Sequence, residues 1–370
     1  MDADHYERQL TAKVQRVQEL FQNFTMPDIE VFRSEPKHYR MRSEFRVWHE
    51  GDETYYIMFE PGEGDKQKQV RVDQFPPGSQ LMNVLMRLVM QEVAKDPVLR
   101  TKLYVVSFLT TLSGQSLVSL IYKKKLGEDW VASAQQLRAV LAAAPENPAG
   151  ATTLLGRSRK QKIELDCSHV VERLTVDGRQ FVYKQIEGAF SQPNAGVCQH
   201  MLAWARDVTR KSSADLLELY CGNGNFTVAL ADNFRMAVAT EVNKTSVAAA
   251  KENLDANNIS NVFVGRVSSE EFTEAWKGVR QFTRLQDLDL ASCKLQTILV
   301  DPPRAGLDAQ TVKLLHEFQN VVYISCNPDT LHANLCNIAD SHEIKRFAVF
   351  DQFPWTHHVE CGAYLQRRQK

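Results

Sequence analysis

From about residue 194 onward, apolar runs that end in turn residues alternate with helical stretches, and that alternation leaves the chain few folds to choose from. The runs are Leu216–Leu219, Ala237–Thr240, Asn261–Val264, Thr297–Val300 and Val321–Ile324. Strands spaced by helices pair side by side into a mostly parallel sheet with helices on both faces. Ligands of such α/β sheets bind at the carboxyl ends of the strands.

The first half has a different texture. Strand-like runs such as Glu44–Trp48 and Leu117–Tyr122 are interrupted by two helical stretches, Gly78–Lys95 and Ala132–Ala144, which predicts an α+β module. The expected division is therefore an α+β RNA-binding domain over residues 1–188, parts of which can pack on the second domain, and a Rossmann-like α/β catalytic domain over 189–370. With 370 residues, 44% of them hydrophobic, both can bury a core. No apolar stretch reaches the roughly 20 residues that cross a bilayer and the first residues carry no signal-peptide core, so a cytoplasmic protein is expected. A net charge of −1 argues against nonspecific coating of nucleic acid, so any RNA contact rests on local patches. Seven cysteines without a CxxC pair suggest neither a zinc site nor a disulfide framework.

Four motifs fall at predicted strand ends. Leu216-Leu-Glu-Leu-Tyr-Cys-Gly-Asn-Gly-Asn-Phe226 is a strand, a glycine turn and a helix start. Gly222 and Gly224 let the backbone approach a ligand, as in dinucleotide sites. The next strand ends at Glu241, about twenty residues on, where a carboxylate can take both ribose hydroxyls. Thr227 stands where a third glycine would serve a pyrophosphate, which favours a phosphate-free nucleoside such as S-adenosylmethionine. The third strand runs into Asp301-Pro-Pro-Arg-Ala-Gly306, a loop stiffened by its prolines and also known from enzymes that methylate adenine amino groups.

The fourth strand delivers Cys326 in Ser-Cys-Asn-Pro, either a small buried residue or a nucleophile whose thiol the positive end of the following helix would acidify. Glu360 lies in the apolar string Val359–Tyr364, where a carboxylate needs a task or a partner. Burial would raise its pKa and make it a better base, although His357 and His358 stand close by in sequence.

Together, Ser191-Gln-Pro-Asn, Leu219-Tyr-Cys-Gly-Asn-Gly-Asn-Phe, Asp301-Pro-Pro-Arg-Ala-Gly, Ser325-Cys-Asn-Pro and Phe353-Pro-Trp-Thr-His-His-Val-Glu resemble the RNA uracil-C5 methyltransferases. The stretch Phe32–His49 extends the likeness to the bacterial members that act on U54 of the tRNA T-loop, so the resemblance spans the chain. It implies S-adenosylmethionine as cofactor, held by Gln192, Tyr220, Gly222, Asn225, Glu241 and Asp301. It also implies Cys326 as nucleophile at uracil C6, Glu360 as acceptor of the C5 proton, and Arg304 as stabiliser of charge on the ring. Relatives that act on rRNA often carry an iron–sulfur cluster and an extra barrel. This chain lacks the cysteine spacing, so neither cluster nor metal is expected, and tRNA is favoured over rRNA. The bacterial relatives also modify tmRNA.

Extruding a stacked base calls for basic and aromatic groups. Arg33, Lys37, Arg40, Arg42 and Arg46, interleaved with Tyr39, Phe45 and Trp48, form one candidate patch; Arg157, Arg159, Lys160 and Lys162 form a second. A monomer without an obligate protein partner is expected. An adenine amino-group methyltransferase remains the second enzymatic reading, and it would need no nucleophilic cysteine.

Overall fold

A computed structural model describes residues 3–61, 67–147, 149–210 and 212–369. It divides into two compact units, one formed by residues 1–36, 174–183 and 196–370 and the other by residues 37–173 and 184–195. This differs from the expected cut at 188/189, and the physical reason lies in the first 36 residues. In the helix Ala3–Leu20, residues Tyr6, Leu10, Lys13 and Val17 are buried at intervals of three and four, and Phe21 continues that stripe just past its end. Val17 and Phe21 lie in the core of the α/β unit, where the Phe21 and Phe347 rings meet at 5.0 Å. The strand Ile29–Phe32 then adds an edge to the same sheet, in parallel register with Phe347–Phe350.

The α/β unit holds an eight-stranded sheet in the order Ile29–Phe32, His342–Phe350, Glu360–Arg367, Asn320–Ser325, Leu295–Val300, Asp215–Leu219, Ala237–Thr240, Val262–Gly265. All five predicted strands are present, each within two residues of the expected ends. Asp215–Leu219 and Ala237–Thr240 are buried at every residue, as strands covered on both faces must be. Glu360–Arg367 runs antiparallel to both neighbours, so its first residue, rather than its last, comes to the carboxyl edge of the parallel strands.

The second unit is built on a seven-stranded sheet in the order Gln67–Val72, Glu53–Pro61, Arg42–Glu50, Leu103–Thr110, Ser116–Tyr122, Thr152–Ser158, Gln161–Glu164. Its helices Gln80–Lys95 and Glu128–Ala143 bury Met82, Leu85, Val89, Trp130 and Leu137 in one core with Phe45 and Phe108 of the sheet. The first begins two residues later than expected because the Ser79 side chain caps it, accepting from the Met82 amide at 3.0 Å. The second begins four residues earlier, with Glu128 and Asp129 in its first turn, where the helix dipole favours acids. Among the described residues no helix is long and apolar enough to cross a membrane.

Candidate active site

Strand register brings the predicted site residues of the α/β unit to one sheet edge. Leu219 pairs with both Thr240 and Val300, so Tyr220, Glu241 and Asp301 leave adjacent strands at the same level. Ser325 pairs with Cys361 in the antiparallel ladder, which sets Cys326 beside Glu360, the next residue on each side.

The glycine turn is shaped for a ligand. Tyr220 is held at φ 61° and Gly222 at φ 55°, left-handed conformations that cost a side chain energy and gather at binding sites. A Cβ added to Gly222 would meet no atom within 4 Å, so the turn faces open space. The Glu241 carboxylate accepts from the Gly222 amide at 3.1 Å and from the Asn243 amide at 2.8 Å. It is thereby fixed beside the turn and partly exposed, with acceptor capacity left for hydroxyl groups. Asn225 opens the helix Asn225–Leu230, and its carbonyl accepts from the Tyr183 hydroxyl at 2.9 Å. The partly exposed Glu241 carboxylate beside the open turn suits a ligand that carries hydroxyl groups. Gln192 falls in the second unit, where the neighbouring Pro193 carbonyl accepts from the Met41 amide at 2.7 Å.

The loop after Asp301 is braced on the cysteine side. Asn334 Oδ1 accepts from the Leu307 amide at 2.9 Å and from the Tyr323 hydroxyl at 2.7 Å, while Asn327 Nδ2 donates to the Arg304 carbonyl at 3.1 Å. Gly306 (φ 79°) passes so close that a Cβ there would lie 2.8 Å from Asn334 Oδ1. Prolines stiffen this loop, and side chains of the helix Pro328–Cys336 hold it. The exposed Arg304 guanidinium has no ion-pair partner among the described residues.

The electrostatics correct one expectation. The Cys326 thiol is pushed up to about 11, first by burial and then by the charges of Glu360 and Asp301, against a smaller lowering from Arg304. The helix that follows does not bring it below the ordinary thiol value. Its N-terminal region is already served, with the Asp329 amide donating to Asn327 Oδ1 at 3.2 Å and the Asn327 amide to Ser325 Oγ at 3.2 Å. Burial raises Glu360 well above the ordinary carboxyl value, and the charge of Asp301 adds to the rise; burial also raises Asp301. The His357 and His358 rings lie 4.0 Å apart on the turn before Glu360, and His358 is lowered by burial and by its neighbour.

One buried acid escaped the sequence reading. Glu218 is 1% exposed on the glycine-turn strand, accepts from Thr227 Oγ1 at 2.6 Å, and is raised to about 8 by burial. Its signal was an acid in an apolar strand, the same one that singled out Glu360. The turn before Glu360 is anchored from below, because Asp351 and Lys13 form a buried ion pair at 2.7 Å and Lys13 also donates to the Phe353 carbonyl at 2.9 Å.

In the second unit the candidate cations divide sharply. Arg157 is bound in a bidentate pair to Glu187, with Nε donating to Oε1 at 2.8 Å, and Lys162 pairs with Glu164 at 2.7 Å. Arg42 lies over the exposed Phe190 ring at 5.0 Å and Arg46 over Tyr104 at 3.9 Å, while Trp48 is 38% exposed. Arg159 and Lys160 are exposed. Phe45 and Tyr39 are buried and belong to the core, and Arg33, which falls in the α/β unit, pairs with Glu7 at 2.7 Å.

A mostly parallel sheet with one antiparallel strand, and a glycine turn with an acid at the end of the next strand, make the fold of an S-adenosylmethionine-dependent methyltransferase. Residues 5–368 match the family described as tRNA (Uracil-5-)-methyltransferase, and this chain belongs to that family. It is 52% identical over 368 residues to the tRNA/tmRNA (uracil-C(5))-methyltransferase of Shewanella amazonensis, covering 100% of this chain and 99% of that one. The enzyme of that name from Vibrio cholerae is 50% identical, covering 98% of this chain and 97% of the other. Among solved structures, the tRNA (uracil-54, C5)-methyltransferase of Pyrococcus abyssi, in complex with S-adenosyl-L-homocysteine, superposes with a TM-score of 0.69. At 19% identity, over 97% of this chain and 83% of that one, it speaks for the fold.

Proposed function

We propose that the protein transfers a methyl group to C5 of a uridine in tRNA, U54 of the T-loop, and also acts on tmRNA, working as a monomer in the cytoplasm. S-adenosylmethionine supplies the methyl group as an electrophile on a sulfonium sulfur. Tyr220, Gly222, Asn225 and Glu241 hold its nucleoside part, with Glu241 on the ribose; Asp301 serves its methionine end. The observation that carries the reading is the register that sets Cys326 beside Glu360 at the sheet edge where Asp301, Tyr220 and Glu241 also leave their strands.

C5 of uracil is a poor nucleophile until the ring is activated. The Cys326 thiol gives its proton to solvent and adds as the thiolate to C6, and the electron pair of the C5–C6 double bond moves toward O4 as an enolate. Arg304, exposed on its braced loop, meets that developing charge. The enolate carbon C5 takes the methyl group. The ionised Glu360 then removes the C5 proton, and the electrons of that C–H bond restore the double bond as the C6–S bond breaks and Cys326 leaves as thiolate. A thiol raised to about 11 needs nearby positive charge before it ionises; Arg304 already lowers it, and a bound sulfonium would add charge of the same sign.

The test uses unmodified tRNA carrying 5-fluorouracil. Fluorine at C5 cannot leave as a proton, so the adduct persists through a denaturing gel and maps by mass spectrometry to Cys326. Cys326→Ala gives no adduct and loses roughly four orders of magnitude in turnover. An adduct on another residue, or near-normal methylation by Cys326→Ala, sinks the covalent scheme; the latter outcome would support an amino-group methyltransferase.

A further inference from the structure

Outside the active site, the second unit carries a concave site of about 390 Å³ whose charged lining is entirely cationic: Lys123, Lys124, Lys125, Arg159 and Lys160. The fold assembles it from two segments that are 33 residues apart in sequence. The strands Ser116–Tyr122 and Thr152–Ser158 run parallel with Ile121 opposite Arg157, so the lysine run leaves one strand where the Arg159–Lys160 turn leaves the other. The two exits are stapled together. Gln161 Nε2 donates to the Leu126 carbonyl at 2.9 Å, its Oε1 accepts from the Leu126 amide at 3.0 Å, and the Ser158 hydroxyl donates to the Lys124 carbonyl.

Not every cation there is available. Lys124 Nζ donates to the Val98 carbonyl at 2.8 Å, and Lys123 lies over the Tyr104 ring at 3.8 Å. Lys125, Arg159 and Lys160 are exposed and have no ion-pair partner among the described residues, whereas their neighbours Arg157 and Lys162 are neutralised by Glu187 and Glu164. The turn itself departs from what stability alone selects. Ser158 and Gln161 pair across a two-residue connection, and Arg159 occupies its first position at φ 50°. Glycine or asparagine is the residue of choice there. A side chain kept at such a cost points to a function for that side chain.

We propose that Lys125, Arg159 and Lys160 form a preorganised seat for the phosphodiester backbone of the RNA substrate. Three like charges held on stapled segments repel one another until an anion arrives, and adjacent phosphates supply repeated negative charge at the spacing of a chain. Such contacts position the RNA and read no base. The inference rests on the RNA reading above and adds the place where the backbone binds.

The test is the binding of unmodified full-length tRNA as a function of salt, comparing the wild type with a Lys125→Gln, Arg159→Gln, Lys160→Gln variant. Loss of three backbone contacts lowers the slope of log K against log salt by about 2 to 3 and weakens binding at least about tenfold at the lowest salt. Arg159→Gly separates function from folding, since it raises or maintains the Tm while weakening tRNA binding. Lys160→Arg keeps the wild-type slope. A triple variant whose slope and affinity match the wild type overturns the seat while leaving the methylation reading intact. A wild type with neither salt-dependent tRNA binding nor a 5-fluorouracil adduct overturns both.

Discussion

The two units handle charge in opposite ways. At its sheet edge the α/β unit buries the carboxyl groups of Glu218 and Glu360, whose pKa values rise because water is withdrawn. In the second unit most of the charged residues of the sheet stay at the surface, either paired, as Arg71 is with Glu53 and Asp73, or gathered as cations alone in the lysine-lined hollow. Buried charge is expensive and shifts pKa; surface charge is inexpensive and mainly sets which partners approach. Chemistry on a base needs the first kind and capture of a polyanion the second.

Glu360→Gln tests the expensive side most severely. Turnover falls by roughly 10² to 10⁴, the range for loss of a general base. Methylated RNA still bound through Cys326 accumulates on a denaturing gel. Glu360 is also the largest charge raising the thiol, so its removal lowers the Cys326 pKa. The pH profile of adduct formation in single turnover therefore moves to lower pH. A profile that stays in place, or an adduct that fails to build up, separates Glu360 from the proton step and returns attention to His357 and His358.

Lys13→Met probes the support beneath that base. It leaves Asp351, which is 0% exposed, with the Gln9 amide but without its ion-pair partner, and breaking a buried pair costs about 3 to 5 kcal/mol. Urea unfolding measures the loss, and replacing both residues by Leu should cost less than the single change. A loss under about 1 kcal/mol would show that the pair contributes little to holding the turn before Glu360.

In the second unit, Glu172 is the exception that sharpens the contrast. It is 0% exposed, accepts from the Leu112 amide at 3.0 Å, and is raised to about 7 by burial. Between the unfolded carboxyl value and about 7 the folded state keeps a proton that the unfolded state has lost, so stability falls as pH rises through that window. Glu172→Gln, which mimics the protonated form, removes roughly 2 kcal/mol of that pH dependence. Unfolding midpoints at pH 5 and 8 that differ as much in the variant as in the wild type would refute the assignment.

The α/β unit was legible in sequence because its signals are local. An apolar run ending in Gly-Asn-Gly or Asp-Pro-Pro fixes strand, turn and position at once, and the five strands lie within two residues of expectation. The membership of residues 1–36 was not legible, because a helix stripe such as Tyr6, Leu10 and Val17 declares that it will be buried without declaring against what. Nor was the ionisation of Cys326 legible. Its neighbours Glu360 and Asp301 arrive from other strands, and their effect opposes the helix end that the sequence displays beside it. In the same way Arg157 looked like part of a cationic run until Glu187, 30 positions away, closed on it.

That last pair gives the smallest effect and the finest comparison. Arg157 and Glu187 are partly exposed, 38% and 10%, and a double-mutant cycle should return about 1 kcal/mol or less of coupling. The more telling measurement is RNA affinity. Because Glu187 already neutralises it, Arg157→Gln should change the salt slope of tRNA binding by far less than Arg159→Gln, two residues away. Equal slopes for the two variants would mean that the RNA competes Arg157 away from Glu187 on binding. The distinction between paired and open cations would then describe only the protein without its RNA.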